Sequence, residues 1–300
     1  MKRSDGMQLV LVAAVWGASY LFIRIAAPAF GPVAMAGARA LLAAAMMAPL
    51  LLWRGLVGET LRHWKGITLV GVTNVTLPFL LFNYAALVIP AGLSAILAST
   101  TPLFAALVGV MWLGERLTMG RMAGLAIGFG GVVLLVADKI HLQQGALWPT
   151  LAAAWACLCA TLLYGFTGNF TRRYLAAVSP VAVAAGSQVV AAVLLFVPML
   201  LAWPDAPPST RAWSALLALC ALCTTFIYVV FYGLIARLGA SRAMSSLFLI
   251  PPFGVLWGGL FLGERFTLRM GASCAVILLG CALTTGLLRL RTPGSVKLET

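Results

Sequence analysis

Ten apolar stretches follow one another between residues 7 and 288, and no linker between them is long enough to form a soluble domain. A helix crosses the hydrocarbon core of a bilayer in about 20 residues. On that ruler the spans are 7–30, 32–53, 66–86, 92–113, 119–137, 148–170, 180–203, 212–235, 241–262 and 268–288. Composition agrees, since hydrophobic residues make up 62% of the chain and charged residues 9%. Soluble domains carry about 25% charged residues, and a soluble fold of this size cannot hide so much apolar surface. The first run, from Met7 to about Phe30, is long for a secretory signal and reads as a first membrane span. The expected fold class is an all-α polytopic membrane protein with ten transmembrane helices.

Charge sets the expected orientation. The net charge of +13 comes from basic residues scattered over short connections, which suits topology determinants rather than a nucleic-acid surface. With the N-terminus inside, fourteen Lys and Arg fall on the cytoplasmic side and four on the other, Arg24 and Arg39 lying within spans. Both termini are therefore expected in the cytoplasm of a bacterial-type inner membrane. Trp53, Trp64 and Trp112 then fall near the inner interface and Trp148, Trp203 and Trp213 near the outer one. The six cysteines lie inside apolar runs; Cys220 and Cys223 have redox or zinc-pair spacing but no His or acid beside them, and read as soft packing residues. No cofactor and no metal is expected.

The chain also repeats itself. Leu113-Gly114-Glu115-Arg116-Leu117-Thr118 returns 149 positions later as Leu262-Gly263-Glu264-Arg265-Phe266-Thr267, and the same offset carries Pro102 onto Pro251. An offset of 148 carries Pro32-Val33-Ala34 onto Pro180-Val181-Ala182, Tyr84 onto Tyr232, and Trp16-Gly17 onto Tyr164-Gly165. The chain reads as two five-helix units, 1–140 and 141–300, the second ending in a short cytoplasmic tail. Five is odd, so the second unit enters the membrane from the opposite side. Inverted repeats provide two nearly equivalent shapes, which is the basis of alternating access.

With these motifs in hand, the chain resembles the drug/metabolite transporter superfamily. More closely, it resembles the ten-helix EamA-type exporters of amino acids and metabolites, including the aromatic amino-acid group. The motifs are Leu-Gly-Glu-Arg before the fifth helix, its counterpart before the tenth, and Trp16-Gly17 or Tyr164-Gly165 in the first helix of each unit. The resemblance implies a central cavity lined chiefly by helices one, three, four, six, eight and nine, with five and ten as packing elements.

Around that cavity several residues stand out. Thr76, Leu80 and Tyr84 superpose at offset 148 on Thr224, Tyr228 and Tyr232, each set spaced by four and hence on one helix face. Asn83 borders the stripe, while Asn74 lies roughly opposite it. Ser99, Thr100 and Thr101 precede Pro102 at mid-span, where proline frees backbone carbonyls. These hydroxyls either contact substrate or bond to their own helix. The expected binding set is Trp16, Asn83, Tyr84, Ser99, Thr100, Tyr164, Thr224, Tyr228 and Tyr232, with Pro78, Pro102 and Pro251 as hinges. Trp16, Tyr20 and Arg24 form a ladder that could lead a carboxylate outward. Arg39 serves either a packing hydrogen bond or attraction of an anion. Gly120, Gly124 and Gly128 make a smooth stripe for close helix approach, as do Gly254 and Gly258. Gly114 and Gly263 suit helix ends, with Glu115 and Glu264 near the start of the following helix.

All seven acidic residues and both histidines lie in tails or connections, leaving no obvious intramembrane proton relay. The expected function is export of amino acids or similar small metabolites by alternating access, facilitated rather than proton-coupled, with a monomer as the expected assembly and the lipid bilayer as its surroundings. Proton-coupled drug or cationic-metabolite efflux is the alternative, and an integral-membrane enzyme a remote one.

Overall fold

The computed structural model describes residues 3–115, 118–142, 147–238 and 245–288. Among the described residues helix lies in every apolar stretch, and no strand occurs. In chain order the helices are α1 (Arg3–Phe30), α2 (Pro32–Trp53), α3 (Trp64–Val88), α4 (Ala91–Leu113) and α5 (Met119–Leu142). They continue with α6 (Leu147–Tyr174), α7 (Pro180–Leu201), α8 (residues 210–238), α9 (described from Ser245 to Leu262) and α10 (Leu268–Thr284). A short helix, Val57–Arg62, precedes α3. Seven of these, α1 to α7, are long and apolar enough to cross a membrane, and shorter apolar helices lie within α8, α9 and α10. The protein is a multi-pass helical membrane protein.

The faces of α7 show how such a helix is built. Ala191, Leu195 and Met199 are buried, whereas Val193, Val197 and Leu201 are exposed and just as apolar. An apolar outer face is unfavourable in water and natural in lipid. Pro32 and Pro180 open α2 and α7, where a missing N–H is harmless and the fixed φ suits a first turn.

Small residues decide which helices touch. A Cβ on Gly280 of α10 would collide with the Gly128 backbone and stand 2.7 Å from Gly124 O, so α5 and α10 lie backbone to backbone. Gly17 brings α1 onto Phe253 and Gly254 of α9, and Gly165 brings α6 onto Phe104 and Ala105 of α4. Those two crossings occupy corresponding positions of the two halves, since residues 104 and 253 are 149 apart.

Two helices are interrupted in each half. A π turn, Gly71–Thr76, lies within α3, and another, Ala221–Phe226, within α8. In each, a threonine hydroxyl donates to a carbonyl five residues back: Thr76 to Gly71 O at 3.0 Å and Thr224 to Leu219 O at 3.2 Å. Pro78 comes two residues after the last residue of the first turn, and the wider backbone there makes room for a residue without an N–H. Helix α4 breaks at Ser99 and Thr100, and α9 passes from a 3₁₀ segment, Ser245–Leu249, into α-helix at Ile250.

The Gly-Glu connections differ between halves. Gly114 and Gly263 both end helices with left-handed backbone, at φ 67° and 64°, and Thr267 accepts a hydrogen bond from Met270 N as a cap. The glutamates do something the sequence did not suggest. Glu264 does not serve the helix that follows it; its carboxylate accepts from the backbone N–H of Ala91 at 2.6 Å and of Gly92 at 3.0 Å, at the start of α4. Glu115 pairs with Arg172.

Candidate functional site

A cavity of about 290 Å³ sits at the level of these interruptions, enclosed by both halves of the chain. From α1 it takes Trp16, Ser19, Tyr20 and Ile23, and from α3 Asn74, Val75, Phe79 and Phe82. The broken turn of α4 contributes Ala98, Ser99, Thr101 and Pro102. The second half adds Tyr164 of α6, Cys223, Thr224 and Tyr228 of α8, and Leu247, Phe248 and Ile250 of α9. Helices outside the expected set also reach it: Arg39 from α2, Gln188 from α7 and Leu278 from α10.

The walls are held by aromatic contacts. Trp16 meets Phe231 edge-on at 4.8 Å and Tyr228 at 6.1 Å between ring centroids. Phe82 stacks on Tyr164 at 6.0 Å and meets Tyr20 edge-on at 5.7 Å. Such a lining gives a solute large, stiff apolar area with few polar points.

Among the described lining residues Arg39 alone carries a charge. Its guanidinium carbon stands 3.6 Å from the centroid of the Phe79 ring. Its Nε is buried without a hydrogen-bond partner, and so is the side-chain carbonyl of Gln188. Four of the described acids are engaged elsewhere, Asp5 facing Arg237, Glu59 accepting from Ser179 N, and Glu115 and Glu264 holding the connections, while Asp205 is exposed in the connection before α8.

Of the expected binding set, Trp16, Ser99, Tyr164, Thr224 and Tyr228 line the cavity, as does Pro102. Asn83, Tyr84 and Thr100 stand apart from it. Tyr84 is 41% exposed, and the Asn83 amide donates to Pro32 O at 3.1 Å. Thr100 is fully buried, donating to Leu97 O and Thr161. The Tyr232 side chain lies outside the described residues. Arg24 does not reach the cavity and donates to Ala86 O near the end of α3. Pro78 and Pro251 are buried beside the cavity walls rather than in them. The hydroxyls of Ser99, Thr100 and Thr101 each bond the carbonyl three residues back, at 2.6–2.8 Å, so they close the broken turn of α4 while Ser99 and Thr101 also border the void.

The third-helix stripe lies off the cavity for a geometric reason. The cavity-facing residues Asn74, Val75 and Phe79 correspond at 149 positions to Cys223, Thr224 and Tyr228, not at 148. One residue is a rotation of about 100° on a helix. Thr76, Leu80 and Tyr84 therefore sit on a neighbouring face.

The profile of the EamA-like transporter family matches the chain twice, over residues 5–137 and 151–286. The chain belongs to the EamA-like transporter family. It is 26% identical over 88% of both chains to a probable terminal-alkyne amino-acid exporter of Streptantibioticus cattleyicolor. It is likewise 26% identical to a probable amino-acid metabolite efflux pump of Salmonella typhimurium, over 99% of both chains. A probable amino-acid metabolite efflux pump of Escherichia coli is 32% identical over 52% of each chain. A solved crystal structure with 19% identity superposes with a TM-score of 0.66 over 96% of this chain and 99% of its own, which shows the fold. Within this EamA-family transporter, sequence reading missed Asn74, Phe79 and Gln188 as lining residues. Gln188 had a signal, being an isolated amide in an otherwise apolar span; Phe79 had none among so many apolar neighbours.

Proposed function

We propose that this EamA-family protein carries amino acids or similarly small metabolites out of the cell by alternating access. In this reading ten helices form two inverted five-helix halves in a bacterial-type inner membrane, both termini lie in the cytoplasm, and one chain suffices. The observation that carries it is the cavity itself, walled by both halves and placed where α3, α4, α8 and α9 are all interrupted. The double family match and the paired Gly114 and Gly263 helix ends support the duplication. The names of the relatives support amino acids or their metabolites as cargo.

Size favours a metabolite over a drug. The cavity volume of about 290 Å³ falls at the lower edge of drug-sized pockets, which run from about 300 to 1,000 Å³. The lining supports facilitated transport over proton coupling. A proton-coupled carrier uses an ionisable acid or His in the path; the described lining residues include neither. Transport then runs down the gradient of the solute.

Counterflow in liposomes tests this. Purified protein preloaded with an unlabelled amino acid should accumulate the labelled one with no pH difference imposed, and collapsing or imposing a pH gradient should leave the initial rate within about twofold. Strict dependence on a proton gradient would overturn the coupling, and absence of counterflow across an amino-acid panel would overturn the substrate class.

A further inference from the structure

We infer that Arg39 and Gln188 form the site that grips the charged end of a zwitterionic solute, the guanidinium taking the carboxylate and the Gln188 carbonyl taking the ammonium. This rests on the transporter reading above and specifies what that cavity selects.

Arg39 is 9% exposed, on an apolar helix, and no carboxylate pairs with it among the described residues. A buried cation without a partner is strongly unfavourable. A helix-packing role would show as a hydrogen bond from the guanidinium to a neighbouring carbonyl. That is how Arg24 is settled on Ala86 O. Arg39 instead rests on the Phe79 ring. A cation held over a ring gains no hydrogen bond for its N–H donors there, and the guanidinium fork is the geometry that matches a carboxylate. The residue borders the cavity, so the missing anion has a place to come from.

Gln188 supplies the complementary point. It is 4% exposed, borders the same cavity, and its carbonyl oxygen has no donor. An unpaired buried acceptor costs as much as a lost hydrogen bond and is relieved by a ligand N–H. The aromatic walls at Trp16, Tyr20 and Tyr228 then receive an apolar side chain.

Ligand-induced thermal stabilisation of the detergent-purified protein tests this without any transport step. The probes are L-leucine and L-phenylalanine, their amides (ammonium kept, carboxylate lost), and isocaproate and hydrocinnamate (carboxylate kept, ammonium lost). The amino acids should bind about 10- to 100-fold more tightly than their amides, the effect of one charge-assisted contact. Arg39→Gln should erase that preference while keeping the preference over the deaminated acids, and Gln188→Leu should do the reverse. Arg39→Lys should retain part of the carboxylate preference. Equal binding of amino acids and amides by the natural protein overturns the proposal, and this comparison needs no variant. Equal stabilisation by chloride alone also overturns it, as does an Arg39→Gln protein that weakens acids and amides alike. Failed counterflow with an intact acid-over-amide preference would count against the transporter reading and leave this site standing.

Discussion

Replacing Glu264 with alanine is expected to open the cavity toward the α9–α10 connection, raising the reaction of a cysteine at Ser99 with a reagent added on that side by about 10-fold or more. The expectation follows from what the carboxylate holds. It accepts both Ala91 N and Gly92 N, the first donors of α4, and these residues are buried where water cannot replace it. The start of a helix has unsatisfied N–H groups and a positive dipole end, so an anion there counts twice. Each charge-assisted hydrogen bond is worth about 1.5–3 kcal/mol. A conformational equilibrium shifts tenfold for about 1.4 kcal/mol, so losing either bond is enough to shift one that depends on this contact by about that much. Glu264→Gln keeps the shape and one acceptor and should fall between. Unchanged labelling at Ser99 in the alanine variant would mean that the contact is a passenger of the closed state. The other half is informative by contrast, because Glu115 is taken by Arg172.

The second large effect concerns folding rather than transport. Gly280→Val should remove most folded protein, because a Cβ there has Gly128 N and Cα in its way, and neither is a flexible side chain that could give. Overpacking of a tight core costs about 1–3 kcal/mol, and here the α5–α10 pair must separate. Monodisperse yield and unfolding temperature in detergent measure this. Normal yield and unchanged unfolding temperature would show that the two helices are not in the contact described. Since, among the described residues, α5 contributes no lining residue and α10 contributes Leu278 alone, a defect here separates packing from the path itself.

What could be read in the chain, and what could not, divides along helix geometry. Apolar run length is enough to place the helices, because in lipid every backbone polar group must be satisfied within the segment. The glycine at each helix end could be read because left-handed backbone disfavours a Cβ. Which face of a uniformly apolar helix meets the cavity could not, because hydrophobic periodicity carries no signal when both faces are apolar. Superposing the two halves gave that information for α8, where Thr224 and Tyr228 line the void. It misdirected α3, where one residue of offset turned the chosen face away and led to Asn83 and Tyr84 instead of Asn74 and Phe79. The π turns account for the difficulty: Thr76 and Thr224 keep the same hydrogen bond at 148, while the cavity-facing side chains correspond at 149. Arg24 stands off the cavity for a different reason: it ties α1 to the end of α3, while Arg172, 148 positions further along the chain, pairs with Glu115. The sequence places the glutamates of the Gly-Glu connections near the start of the following helix, in a capping or loop-locking role, and only the tertiary structure shows that Glu264 reaches a helix more than 170 residues away in the chain.

All of this assumes that the two halves traverse the membrane in opposite senses. Met119 and Leu268, the first residues of α5 and α10, are 149 apart, and both are exposed, at 72% and 91%. Single cysteines at these two positions, in a background lacking the exposed Cys159, can be probed in intact cells with a membrane-impermeant maleimide. The account predicts that the cysteine at 268 reacts from outside and that the one at 119 reacts only after the membrane is opened. Reaction of both from the same side would contradict it.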